Sequence, residues 1–242
     1  MILVALGLVG FGLSDLIRWS PDRATTPRAV ASVAAGALGI ALVAALSGAC
    51  FSYVLLAAAI SAAVLAVWVG FDYLPLEQGS ALPLGWVMAV MAALFATSGS
   101  VSPISGPLER WYADLGFAFV GVVSVDQSLL ALAAVIFMTA SGNRIVRLVL
   151  DAAGVSRRSE SALKGGRLLG PLERLIVFAI VLAGDPATAA IVVTGKGLLR
   201  FPEIRSEALQ PGPDAVTEYF LIGTFVSLLI ASLLAILVLA AG

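Results

Sequence analysis

The sequence contains no histidine and a single cysteine, Cys50. Zinc sites built from thiolates and imidazoles, haem ligation through histidine, and Ser-His-Asp or Cys-His catalysis therefore cannot be built. A lone cysteine also cannot form an intrachain disulfide. Because Cys50 lies inside an apolar run, we expect it to be a small packing residue. The sequence thus predicts no metal site and no cofactor.

Charged residues are also scarce, at 12% of 242 residues against about 25% in soluble domains. With 60% apolar residues, a soluble chain of this length could not cover its own surface. The net charge of −1 lacks the basic footprint of a nucleic-acid binder, so we expect no nucleic-acid partner. The composition predicts one integral membrane domain over residues 1–242. Its fold class is all-α, a polytopic transmembrane helical bundle surrounded by membrane lipids.

Long uncharged runs predict about eight membrane segments. From Ala29 to Phe71 there are 43 residues without a charge. As one helix this stretch would measure about 64 Å, twice the roughly 30 Å hydrocarbon core, so we expect two spans with a turn at Ser47-Gly48. The other predicted spans are 1–19, about 84–101, about 115–140, about 216–241, and two short segments at 171–184 and 186–201.

The distribution of basic residues predicts the orientation. If the N-terminus is outside and all eight segments cross, every lysine and arginine except Arg110 falls on the cytoplasmic side. Both termini would then lie outside. The polar segment 142–170 becomes a cytoplasmic loop, and the helical spacing of its first half favours a helix along the membrane surface.

The pentapeptide GPLER occurs twice, at 106–110 and 170–174. Each copy has glycine at an N-cap position, proline at the first helical position and glutamate at the third. This order is typical of a helix start, where the glutamate meets free amides and the positive end of the helix dipole. We therefore predict that a helix begins at each copy.

Charged residues from several segments are predicted to lie at one cytoplasmic depth. They are Glu173, Arg174, Lys196, Arg200 and Glu218, with Asp15 and Arg18 at the end of the first span. Lys196 and Arg200 are four residues apart and share a helix face. Because charges at membrane depth are costly unless paired, we expect contacts among these groups. They form either a salt-bridged network that positions helices or a pocket for a phosphate or carboxylate.

Asp126 and Gln127 are predicted near the middle of the fifth span. An ionised carboxylate is expensive at that depth, so Asp126 is expected to be protonated, paired or directed toward a polar cavity. A buried hydrogen bond to a neighbouring helix is the simplest interpretation. Proton or cation coupling is the functional alternative.

Three motifs follow one another in the C-terminal third: GRLLGPLER (166–174), KGLLRF (196–201) and EYFLIGT (218–224). In order and spacing they resemble an uncharacterised family of bacterial and phage-associated inner-membrane proteins, a domain of unknown function. The resemblance implies a bacterial inner membrane and draws attention to Glu173, Arg174, Lys196, Arg200, Glu218 and Gly223. It implies no activity.

Three functions are compatible with this pattern. The first is a transport or ligand-responsive module with a cytoplasm-facing basic site for an anionic solute or lipid headgroup. The second is an enzyme that modifies lipids at the inner leaflet, with Glu173 or Glu218 as base and an oxygen-coordinated divalent ion. No D-x-x-D motif is present, so a non-enzymatic role is favoured. The third is a partner subunit or assembly scaffold that binds another chain or a second copy.

Overall fold

The structure is a computed structural model that describes residues 1–18, 25–74, 80–101, 104–116, 120, 122–154, 166–192, 194–195 and 215–242, without the side chains of 166–168 and 215–217. All regular structure in these ranges is helical. The helices are α1 (Ile2–Ile17), α2 (Thr26–Leu46), α3 (Phe51–Gly70), α4 (Leu82–Thr97), α5 (Pro107–Ala113), α6 (Val125–Thr139), α7 (Ser141–Ala152), α8 (Gly166–Leu182), α9 (186–192) and α10 (Ala215–Ala240). A 3₁₀ turn, Ser98–Ser100, extends α4.

Several helices have the length and composition of membrane spans. Four meet this description, namely α2, α3, α4 with its 3₁₀ turn, and α10 from Glu218 onward. The pair α6 and α7 is bent by 49° and counts as a fifth span if the two helices are taken together. The apolar helix α1 is shorter. An all-α, membrane-embedded chain is therefore supported, whereas the predicted number of eight segments is not confirmed.

The turn between α2 and α3 forms where the sequence predicted it. Gly48 has φ +84°, a left-handed conformation that glycine adopts without steric cost. The backbone of Gly106 packs directly against this turn, because a Cβ at Gly106 would lie 2.3 Å from the Gly48 amide nitrogen. Pro107 then begins α5 with Gly106 as its N-cap, which confirms the predicted helix start at 106–110.

The second GPLER copy does not begin a helix, so that prediction is wrong. Pro171 lies inside α8, which already starts at Gly166. Gly170 lies beside Asn143 of α7, since a Cβ there would be 3.4 Å from the Asn143 Oδ1. Packing against neighbouring helices thus extends α8 more than a turn beyond the point that the local signal indicated.

The fifth predicted span, about 115–140, begins later than expected. Its helix, α6, starts at Val125, and the Ser124 side chain caps it by accepting a hydrogen bond from the Gln127 amide at 3.2 Å. Asp126 and Gln127 therefore lie in the first turn of α6 and not near the middle of a span, which corrects the prediction. A serine N-cap decided the boundary, because it satisfies amides that would otherwise be unpaired.

The first helix is the centre of the bundle. Twelve of the 16 residues of α1 are buried, and α1 contacts α2, α3, α4, α6 and α7. Glycines allow this close packing: a Cβ at Gly36 would lie 2.6 Å from the carbonyl oxygen of Gly10. The rings of Phe11 and Trp68 meet edge to face, with centroids 5.5 Å apart.

The helix ends gather at two opposite ends of the bundle. At one end, Ser98 Oγ contacts Met1 Sδ at 3.7 Å, and Gln127 Nε2 donates to the Val238 carbonyl at 3.0 Å. Both chain termini therefore lie at the same end of the bundle. At the other end, the last turns of α1 and α3 meet the start of α7. This second group contains the buried carboxylate of Asp15.

Candidate functional site

Asp15, at the end of α1, has several hydrogen-bond and ion-pair partners among the described residues. It is 7% exposed. Its carboxylate accepts hydrogen bonds from Trp68 Nε1 of α3 at 3.1 Å and from Ser141 Oγ of α7 at 2.6 Å. Arg18 Nη2 lies 2.5 Å away and Arg144 Nη1 lies 3.1 Å away. Asp15 thus joins three helices at one depth.

Asp72 completes this cluster just beyond the end of α3. Arg18 Nη1 donates to one carboxylate oxygen of Asp72, and Arg144 Nη2 donates to the other at 2.6 Å. Each arginine therefore bridges both aspartates. We call Asp15, Arg18, Asp72 and Arg144 the Asp15–Asp72 network, and its formal charges sum to zero.

Trp68 contacts both Arg144 and Asp15 of the network. The Arg144 guanidinium carbon lies 3.8 Å from the centroid of the Trp68 ring, a cation–π contact. Arg144 Nη2 also donates to the Trp68 carbonyl oxygen at 3.0 Å. Because the same tryptophan donates to Asp15, one fully buried aromatic residue orients both an acid and a base of the network.

The sequence predicted contacts for Asp15 and Arg18 but did not single out their partners. Asp72 directly follows the 43-residue uncharged stretch, and Arg144 follows the fifth predicted span. Alternating the direction of successive spans brings both to the level of Arg18. The alternating direction of the spans therefore predicts that these charges lie at one level. It does not predict which of them form pairs.

A second buried cation lies apart from this network. Arg174 of α8 is 2% exposed. Its Nη2 donates to the Asn143 Oδ1, its Nη1 donates to Ser227 Oγ at 3.3 Å, and its Nε has no acceptor among the described residues. Gly142 makes room for it, because a Cβ there would lie 3.1 Å from the Arg174 Nε. We call Arg174, Asn143, Ser227 and Gly142 the Arg174 niche.

The Arg174 niche contains no carboxylate. Within the described parts of the chain, Arg174 forms no ion pair with Asp or Glu. Its two hydrogen-bond partners, an amide and a hydroxyl, are uncharged. Glu173, its neighbour in sequence, interacts with Arg174 electrostatically but does not form an ion pair with it, in contrast to the directly paired charges of the Asp15–Asp72 network.

The remaining predicted site residues are only partly brought together. Glu173 is half-buried beside Arg174 in sequence, and Glu218 is exposed in the first turn of α10. Ser227, which contacts Arg174, follows Glu218 by nine residues, about 14 Å of helix rise. Arg174 therefore lies deeper than Glu218 and not at the same level. Lys196 and Arg200 lie outside the described residues.

Gln127 and Asp126, the two remaining polar site residues, both lie in the first turn of α6, where their interactions stabilise the fold. Gln127 joins α6 to α10, because its Nε2 donates to the Val238 carbonyl at 3.0 Å. Asp126 lies in the first turn of α6, where a negative charge interacts favourably with the helix dipole. In the residues that the structure describes, no group of three or more His, Cys, Asp or Glu side chains is arranged to hold a metal ion.

In the described ranges, these features define an all-helical protein with membrane-compatible helices, a charge-balanced network and a buried arginine that forms no ion pair. Comparisons with family models, with curated proteins and with solved structures found no match to this chain. The resemblance of the C-terminal third to an inner-membrane family stays a prediction. Two of its three motifs lie on α8 and α10, which pack against each other, and KGLLRF lies outside the described residues.

Proposed function

We propose that this protein is a multi-pass membrane protein that binds an anionic solute or lipid headgroup and acts in transport or as a ligand-responsive module. The observation that carries the proposal is the Arg174 niche, where the guanidinium is buried between two uncharged hydrogen-bond partners and forms no ion pair among the described residues. A buried, unpaired charge is strongly unfavourable, and a bound anion offsets that cost. Guanidinium donors suit phosphate and carboxylate oxygens.

The Asp15–Asp72 network has a different role in this proposal. Its two acids and two bases compensate one another, so no net charge is left for a ligand. It holds the ends of α1 and α3 to the start of α7. This part of the molecule favours a structural role, and it is the observation that supports a scaffold or partner subunit as the second candidate function.

The membrane arrangement is also part of the proposal. We infer eight membrane segments in a bacterial inner membrane, with both termini outside and Arg174 toward the cytoplasm. The excess of lysine and arginine in the predicted cytoplasmic loops supports this orientation. We further propose that Lys196 and Arg200 add positive charge near the Arg174 niche, as their spacing on one helix face suggests.

A lipid-modifying enzyme is the weaker alternative. It requires carboxylates that converge on one ion or on the reacting atoms. The two carboxylates that converge in the described residues are Asp15 and Asp72, and both are already bonded to Arg18 and Arg144. Neither Glu173 nor Glu218, the predicted bases, is part of that pair. The geometry therefore favours binding of an anion over catalysis of lipid modification.

The proposal is tested by ligand-dependent stability. Purified protein is unfolded thermally in a neutral detergent with phosphatidylglycerol, with phosphatidylcholine, with inorganic phosphate or with succinate. The proposal expects an anion to raise the Tm of the wild type, because a ligand that binds only the folded state stabilises it. Stabilisation by phosphatidylglycerol alone assigns a lipid headgroup, whereas stabilisation by phosphate or succinate assigns a solute.

Arg174→Gln is the decisive variant, and Arg147→Gln is its matched control on an exposed position of α7. Losing a charged hydrogen bond of about 1.5–3 kcal/mol weakens anion binding by about tenfold or more. Arg147→Gln should leave binding unchanged. If Arg174→Gln does not fold, Arg174→Lys, which keeps the charge, replaces it and should bind more weakly than wild type. Wild-type protein that no anion stabilises, or Arg174→Gln that responds like wild type, would refute the proposal.

A further inference from the structure

An apolar cavity of about 730 Å³ lies at the end of the bundle opposite the Asp15–Asp72 network. It is enclosed by α1, α2, α3 and α4, and its volume is within the roughly 300–1,000 Å³ range of ligand-binding cavities. It does not include Arg174 or any other residue of the proposed anion site. It therefore needs a separate explanation.

The lining of the cavity changes in polarity along its length. The deep part is formed by aliphatic and aromatic side chains such as Phe11, Ile40 and Leu65. Apart from Ser61, whose hydroxyl donates to the Ala58 carbonyl at 3.0 Å, the polar lining residues lie at and beside the α2–α3 turn and after α4, and they include Ser47, Cys50, Ser100 and Ser105. The cavity is thus apolar inside and polar at one end, which matches the polarity of an amphiphile.

The cavity also opens sideways. Leu56 and Ile60 of α3 line it and are each more than half exposed. At its inner limit, α3 and α4 are joined where Trp86 Nε1 donates to the Val64 carbonyl at 3.3 Å. A molecule would therefore enter from the side and from the polar end. For a membrane-embedded bundle, these directions lead to lipid tails and to headgroups respectively.

The length fits a single lipid chain. Along α1 the lining extends from Ile2 to Phe11, about 14 Å of helix rise. One leaflet contributes about half of the roughly 30 Å hydrocarbon core, so one acyl chain spans about 15 Å. We propose that this cavity binds one acyl chain of a membrane lipid, with the headgroup at the Ser47–Cys50 turn and the chain end near Leu65.

Cys50 provides a direct test because it is the only cysteine, it lines the mouth and it is exposed. The rate of its modification by a maleimide is measured in a steroid-based detergent, which carries no flexible alkyl chain. Palmitoyl lysophosphatidylglycerol, palmitate or short-chain lysophosphatidylglycerol is then added. At a probe concentration about ten times its Kd, occupancy should slow modification about tenfold, because the free fraction falls as 1/(1 + [L]/Kd).

Slowing by both long-chain probes shows that the acyl chain is sufficient for binding, whereas slowing by palmitoyl lysophosphatidylglycerol alone shows that the headgroup is also required. Ala57→Trp fills the cavity and should abolish the slowing, whereas Ala59→Trp, an exposed α3 position outside the lining, should retain it. If Ala57→Trp does not fold, Ala57→Leu replaces it. The proposal is overturned if no long-chain probe slows the wild type, if the short-chain probe acts equally well, or if the Ala57 and Ala59 variants behave alike.

Discussion

The Asp15 carboxylate accepts a hydrogen bond from the Arg144 guanidinium at 3.1 Å, although 129 positions separate them in the sequence. The bond joins the last turn of α1 to the first turn of α7. Since Ser141 of the same turn also donates to Asp15, two side chains from α7 hold one buried acid. The relative position of these helices therefore depends on a small number of polar contacts within an otherwise apolar bundle.

Removing one member of this pair should destabilise the protein strongly. Arg144→Gln leaves Asp15 with one cationic partner fewer in a buried position, and we expect a loss of about 3 kcal/mol in the free energy of unfolding. The measurement is equilibrium unfolding in mixed detergent micelles, followed by the far-UV circular dichroism of the helices. Arg147→Gln, on an exposed position of the same helix, should change stability by less than about 0.5 kcal/mol.

A double-mutant cycle separates the pair from its surroundings. Asp15→Asn combined with Arg144→Gln should cost less than the sum of the single changes, because each change removes the same interaction. Strict additivity of the two single effects would show that Asp15 and Arg144 do not stabilise each other.

The contact between the α2–α3 turn and the start of α5 should not tolerate a side chain. In Gly106→Ala, the new Cβ would lie 2.3 Å from the Gly48 nitrogen and 2.6 Å from the Leu46 oxygen, both backbone atoms. Overpacking of this kind typically costs about 1–3 kcal/mol. Gly99→Ala is the matched control, since no atom lies within 4 Å of its added Cβ. Equal unfolding midpoints for the two variants would contradict the packing described.

The Asp185 carboxyl should remain ionised to a lower pH than an ordinary aspartate. Asp185 precedes α9 and accepts hydrogen bonds from the Thr188 amide at 3.0 Å and from the Thr188 hydroxyl. The Thr188 hydroxyl, followed by the amide, holds the pKa of Asp185 below its ordinary value of 3.8. Because the folded-state pKa is lowered, the cap stabilises the helix above pH 3.8 and is lost as the pH falls through the lowered pKa.

A carboxyl ¹³C NMR titration measures this pKa directly. Thr188→Val removes the hydroxyl and should raise the pKa of Asp185 toward 3.8. A Thr188→Val variant with the wild-type titration curve would mean that the hydroxyl does not determine the pKa. Asp185→Asn keeps an oxygen acceptor for the cap but has no carboxyl to titrate. In this variant, the protection of the α9 amides from hydrogen exchange should no longer change as the pH falls below 3.8.

The proposed orientation predicts the side from which Cys50 reacts. Cys50 is exposed at the α2–α3 turn, at the same end of the bundle as both termini. A hydrogen bond with Ser52 lowers the pKa of its thiol, which increases the reactive thiolate. A membrane-impermeant maleimide should therefore label Cys50 in right-side-out vesicles without permeabilisation. Labelling confined to inside-out vesicles would reverse the orientation.

Much of the helical organisation could be predicted from local signals. The turn at Ser47-Gly48 follows from an uncharged stretch too long for one span and from a glycine that can adopt positive φ. The start of α5 follows from a glycine, a proline and a glutamate in adjacent positions. These features depend on the residues of one segment, so the order of amino acids was sufficient. Where packing between segments intervened, as at Pro171, the same local signal failed.

The Asp15–Asp72 network depends on contacts between helices, and no single segment of the sequence specifies them. Asp15 and Arg18 could be identified as a local pair, but Asp72 and Arg144 joined them only through the arrangement of α1, α3 and α7. Helices such as α3 and α4 are apolar on all sides, so their sequences do not reveal which face turns inward. Amino-acid composition and apolar runs were thus enough to define a membrane-compatible helical chain. The rotation and depth of each helix depend on packing between distant segments. They decided which charges are paired and left Arg174 buried with no ion pair among the described residues.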